Sequence, residues 1–243
     1  ELALGIRADA EKQREVILAE AYSEAEKTRG EGDALAASIY ASAFQKDEKF
    51  YEFYRSMSAY RKTFSSKGDV LLMDVGACYA NYNAVMTRTI PVSGKFSRRQ
   101  KQVYNAVLRV LRQMIESATV GTQHSEWQKE SELLMNEELL ELGLISKAGI
   151  KRQTPEKRAC RKYYMHGLGH PLGLDVHDVH TANPRLEDGW VLTVEPGIYI
   201  PEEGFGIRLE NNVLVMDNGP VDLMADIPVE ADEIEERMRE AKK

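Results

Sequence analysis

The chain has 243 residues, 43% of them hydrophobic and 29% charged, with a formal net charge of −7. That length allows one or two domains, and the composition excludes wholesale disorder. The acidic balance without a Lys/Arg block argues against nucleic acid as a partner, and no apolar run is long enough for a membrane-spanning helix. Cys78 and Cys160 are the only cysteines. They make neither a disulfide framework nor a Cys-x-x-Cys zinc site, and they suit a reducing, cytoplasmic compartment. No signal peptide is visible, and an opening Glu1 in place of Met points to a fragment or a processed chain.

Residues 1–43 are rich in Ala, Glu, Lys and Arg, which are strong helix formers. Both signs of charge mix along them from Glu11 to Lys27, the pattern of a long solvated helix. The apolar positions are mostly Ala, with Ile6, Val16, Ile17 and Leu18 as exceptions. Such a stripe is too thin for a core and suits pairing with a like helix. Gly30 and Gly32 are expected to break or kink it. Residues 44–64 gather Phe44, Phe50, Tyr51, Phe53, Tyr54, Tyr60 and Phe64, many at helical spacing, and read as a short helix with a packing face.

The text changes at Ser65-Ser66-Lys67-Gly68. DVLLMDVGA has a buried-strand pattern, and YANYNAVMTRTIPV continues with β-prone residues up to Pro91. Helical spacing returns over residues 98–119 and 124–142, with Gly143 as the expected C-cap. Beyond Tyr163 come Gly and Pro with the short β runs WVLTVEP, GIYI and GIRLENNVLVM, and a closing acidic helix starts near Val229. Strand, helix, helix, then strands describes an α+β domain.

The residues with chemistry to offer lie in that second part. Asp74 and Glu195 each end an apolar run, and Glu210 follows Gly206-Ile207-Arg208-Leu209. With His170 and His177 they make a hard oxygen-and-nitrogen donor set, suited to Mn²⁺, Fe²⁺, Co²⁺ or Zn²⁺. His166 and His170 are four apart, but the intervening text is HGLGHP. Its glycines and proline oppose a helix, so these are loop or strand-end histidines rather than a helical zinc pair.

HGLGHPLGLDVHDV, VLTVEPGIYIPEE and GIRLENNVLV, in that order, resemble the proline-specific metalloaminopeptidases, the Xaa-Pro aminopeptidases. Upstream, DVGACYANYNAVMTRTIPVSGKF is similar to the block that carries that family's two metal-binding aspartates. The resemblance covers residues 68–243 and implies a pita-bread domain of the creatinase/aminopeptidase type, here an incomplete one. By the same resemblance, Asp74, His170, Glu195 and Glu210 are metal ligands. His166 and His177 match histidines that contact substrate, and Arg208 matches an arginine that supports the site. With Glu195 these are the implied catalytic residues. The implied reaction removes an N-terminal residue that precedes proline, using water activated by divalent metal, with manganese the expected ion. The implied partner is a peptide with proline at its second position.

Two departures qualify this. The family's second metal-binding aspartate corresponds to Val85, and valine cannot ligate a metal. The family holds two ions; one ion, or a weakly held site with reduced activity, is expected here. The second departure is residues 1–67, which stand where the family's fold should begin. GEGDALAASIYASAFQKDEKFYEFYRSMSAYRKTF resembles the C-terminal region of HflC, a stomatin/prohibitin-type protein, over residues 5–66. That resemblance implies a helical arm that oligomerises, with itself or with an HflK-like partner. The alternative reading is therefore a non-catalytic HflC-like scaffold of an FtsH protease complex.

Overall fold

A computed structural model describes residues 2–46, 68–155 and 157–241, in two compact units, 1–63 and 64–243. The aromatic-rich helix expected over residues 44–64 lies outside the described residues from position 47 onward.

In the first unit a single helix, α1 (Leu2–Lys46), runs without interruption. Gly30 and Gly32 do not break it. The expectation fails because neither glycine takes a left-handed backbone there, so each costs only about 1 kcal/mol relative to Ala. Side chains 11–32 are all exposed. Val16, Ile17 and Leu18 are consecutive, so they point in three directions about 100° apart rather than forming one stripe.

The second unit is built on a hairpin and two helices. Strand β1 (Val70–Tyr79) pairs antiparallel with β2 (Tyr82–Pro91) through a two-residue turn. Ala80 and Asn81 both take positive φ, at 50° and 69°, as a tight turn matched to strand twist requires. Helix α2 (Arg98–Glu116) opens on a capping box. Ser97 Oγ accepts the Gln100 N–H, and Gln100 Oε1 accepts the Ser97 N–H. Its apolar face, Val103, Val107, Val110, Leu111 and Met114, is wholly buried, each side chain contributing about 1.5–3 kcal/mol. Helix α3 (His124–Glu141) packs on α2 and buries Trp127, whose indole N–H donates to the Met114 carbonyl at 3.1 Å. The α3 C-cap is Leu142, one residue before the expected Gly143, which follows it with φ of 73°.

A short helix α4 (Lys147–Lys151) and a 3₁₀ turn (Ala159–Lys162) lead to the strands. Strands β3 (Val191–Val194), β6 (Asn211–Leu214) and β7 (Val221–Asp222) form one antiparallel sheet; β4 (Gly197–Ile200) and β5 (Phe205–Arg208) form a hairpin. Helix α5 (Ala231–Glu240) closes the described chain.

One expectation is corrected. The DVLLMDVGA stretch does not form a buried strand: Val70–Met73 are half-buried, and Asp74 through Tyr79 are exposed. An apolar run cannot by itself tell a buried strand from an edge strand, and among the described residues β1 pairs in a sheet with β2 alone. Strand β2, by contrast, buries Val85, Thr87, Arg88 and Thr89.

Candidate active site

The site lies where β2, the ends of β3 and β6, and the loop 166–170 meet. The β3–β6 register pairs Val194 with Asn211. Continued one step, it sets Glu195 opposite Glu210 at the open end of the sheet. Both carboxylates then leave the ladder. The Glu195 N–H donates to Leu168 O at 2.7 Å, and the Glu210 N–H donates to Thr87 O at 3.0 Å. The first bond brings in the histidine loop and the second brings in the hairpin.

The histidine loop can lie this close only because of Gly169. A Cβ at that position would sit 1.9 Å from the Thr193 carbonyl oxygen, so any larger residue would push the loop off β3. Thr193 completes the junction. Its hydroxyl accepts the His170 N–H at 3.0 Å and donates to Glu195 Oε1 at 3.2 Å. His170 and His166 are in irregular backbone, as the HGLGHP text requires.

Protons can be placed from the partners. His170 Nδ1 is 2.9 Å from the Pro171 carbonyl, which can only accept, so Nδ1 carries the hydrogen and Nε2 keeps a lone pair. That Nε2 stands 3.5 Å from Glu195 Oε1. Two acceptors facing each other need a cation between them, a proton or a metal ion. Burial pushes His170 below the ordinary imidazole value. Burial and the nearby Glu210 charge push Glu195 up to about 7, and burial also raises Glu210.

Asp74 comes from the hairpin, and its charge acts on His170, Glu195 and Glu210. It is directly across the hairpin from Thr87, more than half exposed, and ion-paired with Arg208 at 2.5 Å. Arg208 Nε donates to Thr87 Oγ1 at 3.2 Å, and the Thr87 hydroxyl donates to Glu210 Oε2 at 2.6 Å. Val85, two residues before Thr87 on β2, shares its face and offers only hydrocarbon. Arg208 also reaches the Tyr199 hydroxyl, which lies 2.8 Å from His166 Nε2. His166 Nδ1 faces the Gly167 carbonyl at 2.7 Å, so Nε2 accepts from Tyr199. The His177 ring lies 4.0 Å from the His170 ring and is exposed.

The structure therefore brings His170, Glu195 and Glu210 to one place, with Asp74 and Arg208 linked through Thr87. It does not close them into a finished metal centre. Among the described residues no three His, Cys, Asp or Glu side chains come close enough together to hold an ion. Arg208 engages Asp74, and Thr87 engages Glu210. As residue types, His170, Glu195 and Glu210 are donors that a divalent ion takes. Val85, on the same hairpin, supplies no donor atom.

Sequence reasoning missed Thr87, Gly169, Thr193 and Tyr199. Thr193 carried a signal: it is two residues before Glu195, hence on the same strand face. Thr87 stands in the same relation to Val85.

The sequence pattern of metallopeptidase family M24 matches residues 16–217. The Xaa-Pro aminopeptidase of Haemophilus influenzae is 40% identical over 183 residues, covering 70% of this chain and 42% of that protein. Human Xaa-Pro aminopeptidase 3 is 38% identical over 181 residues, covering 70% of this chain and 35% of its own. A zinc-substituted Escherichia coli aminopeptidase P in complex with product matches in structure with a TM-score of 0.66 and 37% identity. That likeness covers 73% of this chain and 42% of the other, and it bears out the expected α+β pita-bread fold. The chain spans about two fifths of the length of these relatives. The family match begins at residue 16, well inside the stretch that resembles HflC, and nothing in these likenesses supports the HflC-like reading.

Proposed function

The chain belongs to metallopeptidase family M24, and on that premise we propose that residues 68–243 form a metalloaminopeptidase site that removes an N-terminal residue preceding proline. The observation that supports it most is the pair of lone pairs at His170 Nε2 and Glu195 Oε1, 3.5 Å apart, with Glu210 next in register. In this reading His170, Glu195 and Glu210 would hold one divalent ion, manganese by expectation. Such an ion supplies acidification of water and polarisation of the scissile carbonyl when bound.

The chain's own residues account for the rest. In this reading Glu195 would also pass a proton to the leaving prolyl nitrogen. Burial holds His166 below the ordinary imidazole value, so in this reading its neutral ring would contact substrate, with the Nδ1 hydrogen kept on the Gly167 carbonyl. His177, exposed and with its ring tilted 44° against that of His170, would contact the peptide. Arg208 holds Asp74 in an ion pair. Val85 removes one carboxylate from the hairpin face, so the site works with one ion and at reduced rate.

The test is hydrolysis of an Xaa-Pro dipeptide with added Mn²⁺, wild type against Val85→Asp, with metal stoichiometry measured by calorimetry. Slow wild-type turnover with one ion, and faster turnover with a second ion in Val85→Asp, is the expected result. Two tightly held ions in the wild type would overturn the one-ion reading. Absence of hydrolysis in both would overturn the peptidase reading for this chain by itself.

For residues 1–67 the second reading is a helical arm for self-association or an HflK-like partner, in a cytoplasmic protein. The exposure of every side chain over residues 11–32 favours it. No helix among the described residues is long and apolar enough to cross a membrane.

A further inference from the structure

The loop 165–169 carries two glycines and no strand or helix, so nothing in its own backbone fixes where His166 points. Its exposed-looking polar groups are nonetheless taken, and from outside the site. Arg161 Nη1 donates to both the Met165 and His166 carbonyls, each at 3.2 Å. The other arm of the same guanidinium donates to Glu132 Oε1 at 2.6 Å. Glu132 is on α3 with its side chain only 3% exposed, and Arg158 pairs with its second oxygen. One helical turn earlier, Gln128 Oε1 accepts the Leu168 N–H at 2.6 Å. The carbonyl of the same Leu168 accepts the Glu195 N–H.

A carboxylate this deeply buried is rarely a stability device, since its desolvation offsets most of its attraction. A planar guanidinium that bridges it to two adjacent carbonyls is a geometric device. We infer that Arg161, anchored on buried Glu132, and Gln128 are positioning residues: together they clamp loop 165–168 from behind, setting His166 and, through the Leu168 peptide, the strand end that carries Glu195. This rests on the proposed peptidase reading for its functional meaning, but the clamp itself is a statement about the loop.

The roles separate by chemistry. Lysine at position 161 keeps the charge but cannot fork to two carbonyls and a carboxylate. Leucine at 128 keeps the bulk but leaves the Leu168 N–H without an acceptor. Glu132→Ala is the harsher variant and unfolding is its risk, so the test uses Arg161→Lys and Gln128→Leu in the full chain with Mn²⁺ added. Amide hydrogen exchange is the first measurement. Both variants should speed exchange at Leu168 and Glu195 at least about tenfold while α2 amides keep wild-type protection. Xaa-Pro hydrolysis is the second. A displaced His166 should lower kcat by about tenfold to a hundredfold with KM nearly unchanged.

Exchange at Leu168 and Glu195 that stays at wild-type rates, or that rises only together with α2, overturns the clamp. A rise in KM alone overturns its positioning role. If the wild-type chain hydrolyses no Xaa-Pro peptide, the peptidase reading fails, and the exchange pattern still decides the clamp.

Discussion

The two sides that supply the candidate donors are held by different means. On the sheet side, Glu195 and Glu210 grow from strand ends, and His170 from the loop against β3, beside Leu192, Val194, Leu209 and Val213, which are fully buried. Each donor is also fixed by a hydrogen bond to or from a buried threonine. On the hairpin side, Asp74 begins the exposed half of an edge strand, and one surface-accessible ion pair holds it. Packing dictates geometry on the first side; on the second, geometry depends on what a single arginine grips.

The largest expected contrast tests this division directly. Leu192→Ala on β3 empties a fully buried position and should cost about 2–5 kcal/mol in urea unfolding. Tyr79→Ala at the hairpin tip, where Tyr79 is 89% exposed, should change stability by less than about 0.5 kcal/mol. Equal losses would abolish the distinction.

Next is a pH dependence confined to the sheet side. Glu195 is raised from 4.5 to about 7, by burial first and by Glu210 second. Between those values the folded, metal-free chain binds more protons than the unfolded chain, so stability falls as pH rises through this window. The fall should be on the order of 3 kcal/mol and should flatten above the upper value. Glu195→Gln should remove most of it in chelator-treated protein. A slope that survives that substitution would assign it to other groups.

How much of this was legible in the sequence follows the same division. Helical spacing located α2 and α3 within about three residues, because their buried faces recur at 3.6-residue intervals. The HGLGHP text already excluded a helical zinc pair. Strand β1 misled: an apolar run reports that a strand is apolar and leaves open what covers it. Helix α1 ran through two glycines because flanking Ala, Glu, Lys and Arg outweigh their cost. The donors were legible as residue types. Their meeting was not, because it depends on a Thr87–Glu210 bridge between strands 123 positions apart and on Gly169 lying against Thr193.

Thr87→Val addresses the bond that joins the two sides. The substitution keeps shape and deletes the hydroxyl that donates to buried Glu210 at 2.6 Å. It should cost about 2 kcal/mol near neutral pH, the range for a hydrogen bond to a charged group. The same hydroxyl accepts from Arg208, so Arg208 should also become more mobile. A cost below about 0.5 kcal/mol would mean that Glu210 is placed by its backbone alone.

The smallest effect is expected at Asp74. Its carboxylate pairs with Arg208 but is more than half exposed, and exposed pairs contribute at most about 1 kcal/mol. Asp74→Asn keeps the shape and removes the charge. Arg208 retains Tyr199 and Thr87 as partners, so it should not swing away. The loss should be below about 1 kcal/mol and should shrink further in high salt, where exposed charges are screened. A loss above about 2 kcal/mol would place the hairpin donor under the same constraint as the buried ones, and the contrast between the two sides would fail. A small stability change combined with a large drop in Xaa-Pro hydrolysis would sharpen it instead: Asp74 would then be a residue kept for chemistry at a position where the fold asks little of it.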